Sequence, residues 1–321
     1  MHEAVLLDGA LPGVPAPPRS APFGLTDAQR SELDRAGFVC ITTPLVDAIE
    51  LAELRSLIMP LFKRKAGFAE GAQFNLVIDK GSDAPSSLPQ ILDPSSFAPR
   101  LRSLPLRSKL FDIARQTLGP DALLSFEHSI LKPARRGLAT PWHQDEAYRT
   151  SRALRYRQIS FWVPLADATV ENGCLQYVPG THAGELLPHR PAGNDPRNHS
   201  LECCGGFDPA DAVPCPVPAG GVVVHVGRAL HCAGLNATDT DRYAYILGFE
   251  APPVPIEGAE HLEEEHRDAP LSSDQIRRRL WLLRGGALIL LVRKIRQGTL
   301  KDSRMLASVR RRMMAMLFPR H

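Results

Sequence analysis

Ala219-Gly220-Gly221-Val222-Val223-Val224-His225-Val226-Gly227-Arg228-Ala229-Leu230-His231 reads as a glycine turn, a short buried strand, a second turn and then a histidine. The glycines let the chain reverse, and a β-branched run bounded by turn residues suits a strand. Working outward, Leu123–Leu131, Gln158–Leu165, Cys174–Val178 and Tyr243–Phe249 are runs of the same kind, apolar or alternating and separated by Gly, Pro, Asn and Asp. Short strands at this spacing predict an antiparallel barrel or a double-sheet jelly roll, mostly β with helices at its flank. Residues 183–215 between these runs lack periodicity and are expected to form a long loop, of the kind that serves as a lid or binding loop.

Upstream the texture is helical. Thr26 is a plausible N-cap for a helix starting at Asp27, with Gln29 placed to complete a capping box. Val46–Phe62 reads as an amphipathic helix with Ile49, Leu54, Leu57, Ile58 and Leu61 on its apolar face, and Leu106–Leu118 as a helix stopped by Gly119-Pro120. Phe38–Thr42 is a short apolar run, and Phe74–Ile78 is strand-like. There is no internal repeat.

The chain has 321 residues, 44% hydrophobic and 23% charged, enough to bury a sizeable core as one β-rich domain with additions. Its net charge of +3 is unevenly placed: residues 276–321 hold 13 Lys/Arg against the single acid Asp302, so the first 275 residues carry about −9. Three segments are expected: a loose Pro/Gly/Ala-rich arm over 1–24, the main domain over 25–255, and an acidic linker with a basic amphipathic helical tail over 256–321. In the tail Leu280, Leu283, Ala287, Leu291 and Ile295 recur at helical spacing, which suits docking on the domain or on a second copy, or peripheral contact with an anionic membrane. It shows no recognised nucleic-acid motif, so no nucleic-acid partner is expected, and oligomeric state is left open. The six cysteines have no zinc-ligand spacing, and no signal peptide or membrane-length apolar run is seen; free thiols in a reducing cytoplasm are expected.

Chemistry enters with Trp142-His143-Gln144-Asp145. On a strand, residues i and i+2 share a face, so His143 and Asp145 could aim an imidazole and a carboxylate at one ion. That pair alone is a weak signal; His231 strengthens it. Two histidines and one carboxylate leave three adjacent coordination positions open, which suits non-haem iron(II) binding a co-substrate and dioxygen together, whereas a structural zinc site closes its fourth position and usually uses Cys. Arg242 follows His231 by eleven residues. It reads either as a strand-end arginine in an ordinary ion pair or as the buried cation that takes the far carboxylate of a chelating keto-diacid such as 2-oxoglutarate.

These blocks, taken with Trp162-Val163-Pro164-Leu165-Ala166-Asp167, Glu171-Asn172-Gly173-Cys174-Leu175, Val178-Pro179-Gly180-Thr181-His182 and Gly220-Gly221-Val222-Val223-Val224, resemble the phytanoyl-CoA dioxygenase family of iron(II)/2-oxoglutarate oxygenases in order and spacing, over about Leu25 to Ala251. The resemblance implies a double-stranded β-helix (jelly roll, cupin-like) core, iron ligation by His143, Asp145 and His231, and 2-oxoglutarate binding by Arg242 with Trp162 lining its pocket. It also implies oxidation of a small molecule, natural-product-like or lipid-like, by dioxygen as 2-oxoglutarate becomes succinate. Asp145 stands where halogenating relatives carry a small residue, so hydroxylation is expected. Desaturation, epoxidation or cyclisation at the same iron is the first alternative, and a non-catalytic ligand-binding barrel with a membrane-associating tail the second. Ala233 departs from members with a hydroxyl there, and Ser160 or His128 is expected to substitute if Arg242 alone does not suffice.

Other polar residues receive milder readings. His225 is expected to be a non-ligand strand or turn histidine, Gln144 a hydrogen-bonding support facing away from the metal, and His182 and Glu171-Asn172-Gly173 turn residues. Tyr148 is a candidate for the substrate pocket, and Gln73 and Asn75 are weaker candidates for substrate contact.

Overall fold

The computed structural model describes residues 23–77, 87–149, 151, 153–196, 198–258 and 281. The expected arm and basic tail therefore lie almost wholly outside the described residues, as does the end of the Phe74–Ile78 run.

The described chain runs α1 (Asp27–Ala36), β1 (Phe38–Ile41), α2 (Ala48–Lys63), β2 (Gln73–Asn75), β3 (Pro89–Leu92), α3 (Pro105–Leu118), β4 (Leu123–Lys132), β5 (Thr140–His143), β6 (Leu154–Pro164), β7 (Leu175–Tyr177), β8 (His189–Pro191), β9 (Leu201–Cys203), β10 (Val213–Cys215), β11 (Val222–Val226), β12 (His231–Ala233) and β13 (Arg242–Pro255). Local chemistry sets the helix ends. Thr26 accepts from the Gln29 amide while the Gln29 side chain accepts from the Thr26 amide, and α1 stops at Gly37, whose φ of 86° is a left-handed value. Asp47 caps α2, and the buried Glu50 of α2 accepts from the Leu106 amide at 2.6 Å, stabilising the start of α3.

Seven strands form one antiparallel sheet in the order β1-β11-β6-β13-β4-β3-β2, and four form a second in the order β10-β7-β12-β5. The period-2 alternation of β13 sorts its side chains. Tyr243, Tyr245, Leu247 and Phe249 join the core that contains Leu54, Ile58 and Leu61 of α2 and Leu110 and Ile113 of α3. Ala244 and Ile246 face the other way, into a second core with Leu175, Tyr177 and Ala233 of the smaller sheet. Helices thus cover the outer face of the large sheet, and the inner faces of the two sheets meet as a double-stranded β-helix. Leu54, Ile58 and Leu61 are fully buried, each worth about 1.5–3 kcal/mol of apolar burial.

Two expectations need correcting. Ile49, placed on the buried face of α2, is 83% exposed, because the core-facing stripe runs through Leu51, Leu54, Ile58 and Leu61 instead. Residues 183–215 are not one irregular loop: β8 and β9 pair as a hairpin and β10 joins the smaller sheet. Short strands flanked by Pro and Gly carry too little periodicity to register in the sequence. All six cysteines are free thiols. Among the described residues no helix is long and apolar enough to cross a membrane.

Candidate metal centre

Strand register brings the two histidines together. In the β5/β12 pair His143 lies directly opposite His231, with ring centroids 4.2 Å apart. Asp145 arrives differently from expected: β5 ends at His143, and Asp145 opens a 3-10 turn over Asp145–Tyr148. The segment is stapled to the turn that precedes His231. The Glu146 amide donates to the Gly227 carbonyl at 2.9 Å, Glu146 pairs with Arg228 at 2.5 Å, and Gln144 Nε2 donates to the Arg228 carbonyl at 2.7 Å. Gln144 Oε1 accepts from the Leu187 amide, so Gln144 does face away from the metal-binding side.

His143 Nε2 lies 3.6 Å and His231 Nε2 4.0 Å from Asp145 Oδ1, and one ligand atom from each of the three residues falls within 4.8 Å of the others. Each Nδ1 faces a backbone carbonyl two residues back, Pro141 at 2.8 Å and Ala229 at 3.0 Å. A carbonyl only accepts, so Nδ1 carries the hydrogen and Nε2 turns its lone pair toward Asp145. Burial holds both imidazoles below the usual histidine pKa, with the neighbouring His143 adding to the effect on His231. Burial works to raise the Asp145 pKa, but the hydrogen bond from His225 and the surrounding imidazoles outweigh it and the carboxyl stays ionised. Two neutral imidazoles and a carboxylate, converging with no fourth donor in the group among the described residues, fit an iron(II) that keeps open positions.

The second Asp145 oxygen is engaged elsewhere. Ser160 Oγ donates to Oδ2 at 3.0 Å and His225 Nε2 at 3.2 Å, while Tyr177 O–H meets His225 Nδ1 at 2.8 Å. His225 is buried on β11 and lies outside the three-residue ligand group, but its contact with Asp145 was not legible in the sequence. Ser160, offered above as a co-substrate contact, lines the same cavity and donates its hydroxyl hydrogen to Asp145.

Arg242 is 2% exposed. Its Nη2 donates to the Gly173 carbonyl at 3.1 Å and its Nε reaches the Asn172 carbonyl at 3.5 Å, while Nη1 is buried with no partner among the described residues. Among the described residues no carboxylate pairs with it, which removes the ordinary ion-pair reading. Burial lowers its pKa to about 9, so it remains a cation at neutral pH. The Trp162 ring lies 5.1 Å beneath the guanidinium. The Glu171-Asn172-Gly173 turn thus supports Arg242, and its glycine is required: φ is 82° and a Cβ would stand 2.2 Å from the Gly234 carbonyl oxygen. Lys132, unnoticed in the sequence, is fully buried and donates to the carbonyls of Leu138, Ala233 and Gly234, tying the strands of His143 and His231 together.

One cavity of about 460 Å³ is lined by the triad, Arg242 and Trp162 together. A buried cation with no carboxylate partner among the described residues, beside an open-sided triad, is the donor set a keto-diacid with a distal carboxylate fits. Ala233 lines the cavity without a hydroxyl, and His128, bonded to Gln90 at 2.9 Å, lies in the same wall. Tyr148 also lines it, its hydroxyl accepting from the Leu201 amide at 3.0 Å. Gln73 and Asn75 do not; alternation along β2 places Phe74 there instead.

EvdO2 from Micromonospora carbonacea var. aurantiaca, complexed with 2-oxoglutarate, superposes with a TM-score of 0.61 at 35% identity, over 74% of this chain and 95% of that one. Phytanoyl-CoA dioxygenase domain-containing protein 1 of Danio rerio is 33% identical over 117 residues, 36% of this chain. A probable alpha-ketoglutarate-dependent hypophosphite dioxygenase of Stutzerimonas stutzeri is 24% identical over 228 residues, 70% of this chain and 78% of that one. The match spans only 40% of the length of the Danio rerio protein. The phytanoyl-CoA dioxygenase (PhyH) profile matches residues 33–244, taking in the triad and Arg242, and the chain belongs to that family.

Proposed function

We propose that the protein is an iron(II)/2-oxoglutarate-dependent dioxygenase that hydroxylates a C–H bond of a small organic molecule. The observation that supports this reading is Arg242, a buried cation with no carboxylate partner and a spare donor, Nη1, among the described residues, lining the cavity that also holds the triad. His143 Nε2, His231 Nε2 and Asp145 Oδ1 are the iron ligands. Arg242 takes the distal carboxylate of 2-oxoglutarate over the Trp162 ring. Iron(II) with 2-oxoglutarate and dioxygen supplies an oxidant that can break an unactivated C–H bond; overall R–H, 2-oxoglutarate and O2 become R–OH, succinate and CO2. The protein contributes the open side of the triad, a dry cation for the co-substrate, and a cavity whose remaining wall includes Phe74, Leu92, Phe126, Ser125 and Ser200. Asp145 occupies the place a halide would need, which favours oxygen insertion over halogen transfer.

The catalytic unit in this reading is residues 25–255, working in the cytoplasm, with 256–321 as an appended tail. Aerobic incubation with iron(II), 2-oxoglutarate and a metabolite panel tests it. One compound should stimulate succinate formation and gain one oxygen atom from labelled dioxygen. A product that loses two hydrogens and gains no oxygen overturns hydroxylation in favour of desaturation. Absence of succinate with any compound, or without one, overturns the enzyme.

A further inference from the structure

We infer that Ser160 and His225 restrict Asp145 to a single metal-facing oxygen, and that Tyr177 enforces this by fixing the His225 tautomer. The inference rests on the iron site proposed above and concerns residues outside the three-residue ligand group.

A carboxylate beside a divalent ion can bind through one oxygen or chelate through both. Chelation by Asp145 would occupy a position that a two-point co-substrate and dioxygen require. Here the two oxygens have divided duties. Oδ1 faces both histidine Nε2 atoms, and Oδ2 accepts from Ser160 at 3.0 Å and from His225 at 3.2 Å. The two donors are direct cross-strand neighbours on the inner face of the large sheet, where β11 pairs with β6. Both are buried, Ser160 at 0% and His225 at 4% exposure, so bulk water does not stand ready to replace either. Rotating Oδ2 onto the metal would orphan two buried donors at once.

His225 can act this way in only one tautomer. The carboxylate requires a hydrogen on Nε2; in the neutral ring that leaves Nδ1 as an acceptor, and the Tyr177 hydroxyl, 2.8 Å away, is placed to be the matching donor. Tyr177 is fully buried, so its hydroxyl meets His225 away from bulk water. Its ring is fixed by stacking on Phe38 at 4.3 Å and against His231 at 5.5 Å. Tyr177 and His231 are directly paired between β7 and β12, so the residue that orients His225 is held by the strand that carries a ligand. The relay Tyr177 to His225 to Asp145 crosses from the smaller sheet to the larger one.

The test uses the full chain loaded anaerobically with iron(II) and 2-oxoglutarate, in wild type, Ser160→Ala, His225→Ala, Tyr177→Phe and the Tyr177→Phe/His225→Ala pair. The readouts are the iron(II) Kd and the ligand-field spectrum of the bound iron, neither of which requires turnover. Ser160→Ala and His225→Ala should each weaken iron binding about 10- to 100-fold and shift the spectrum, as loss of an outer hydrogen bond to a metal ligand does. Tyr177→Phe keeps the stacked ring, should weaken binding less, and should add nothing once His225 is gone. Wild-type Kd and spectrum in both Ser160→Ala and His225→Ala would overturn the inference, as would a Tyr177→Phe effect that adds in full to His225→Ala. If His225→Ala does not fold, Ser160→Ala and Tyr177→Phe decide by the same readouts. Failure of the wild type to take up iron(II) defeats the proposed function itself, whereas normal wild-type uptake with unaltered variants defeats the relay alone.

Discussion

Replacing Arg242 by Met should separate co-substrate binding from metal binding. Arg242 is 2% exposed, so its guanidinium is already desolvated before any ligand arrives, and among the described residues Nη1 has no partner to give up. In the proposed function the distal carboxylate of 2-oxoglutarate would therefore meet a preorganised cation. Truncating one member of a buried, hydrogen-bonded charge pair costs about 2–5 kcal/mol. At about 1.4 kcal/mol per tenfold, that weakens the 2-oxoglutarate Kd roughly 30- to 4000-fold. Arg242→Lys keeps the charge but not the two-pronged geometry and should fall between. Iron(II) affinity measured without 2-oxoglutarate should stay at the wild-type value, because Arg242 is not in the ligand group. Folding should suffer little: the lost bonds to the Gly173 and Asn172 carbonyls are offset by removal of an uncompensated buried cation. Anaerobic calorimetric titration of the iron-loaded protein gives the number. A folded Arg242→Met protein that binds 2-oxoglutarate within threefold of wild type would refute the assignment.

Three further outcomes follow from the same packing. Burial lowers the His128 pKa from 6.5 to about 4, so the ring is neutral in the fold; in the metal-free protein its contribution is intact above pH 6.5 and is lost as pH falls toward 4, about 3 kcal/mol in all. Urea midpoints across that range should flatten in His128→Gln, and an unchanged slope would count against the neutral, buried ring. A Cβ at Gly248 would stand 1.9 Å from the Phe126 ring, so Gly248→Ala should cost about 1–3 kcal/mol by overpacking and be relieved by adding Phe126→Ala; additive losses in the double variant would show that Phe126 is not the obstacle. Lys132→Met leaves three carbonyls without their donor and should lower stability by about 2–4 kcal/mol, read as a lower thermal midpoint; an unshifted midpoint would remove Lys132 from the account.

The β core was legible because its long strands are periodic: β13 alternates Tyr243, Tyr245, Leu247 and Phe249 outward with Ala244 and Ile246 inward. The capping box at Thr26 and the stop at Gly119 are local devices and show at short range. Spacing and family blocks together singled out His143, Asp145, His231 and Arg242, which the fold brings to one cavity. What the sequence concealed is pairwise and distant. Nothing in the local pattern around Asp145 says that Ser160 and His225 will meet its second oxygen across 15 and 80 residues. Nor does a lone Lys132 in a strand announce that carbonyls near residues 138 and 234 will enclose it. The β8/β9 hairpin was missed because three-residue strands are held by tertiary contact more than by pattern.

In the proposed function His143, Asp145 and His231 hold iron(II) in a site that accepts 2-oxoglutarate through Arg242. Anaerobic addition of 2-oxoglutarate to the iron(II)-loaded protein, followed by visible absorption, tests it most directly. A metal-to-ligand charge-transfer band should appear that needs both additions, is absent in Asp145→Ala and His231→Ala, and in Arg242→Met appears only at much higher 2-oxoglutarate. No band in the wild type, or an unchanged band in His231→Ala, would contradict it.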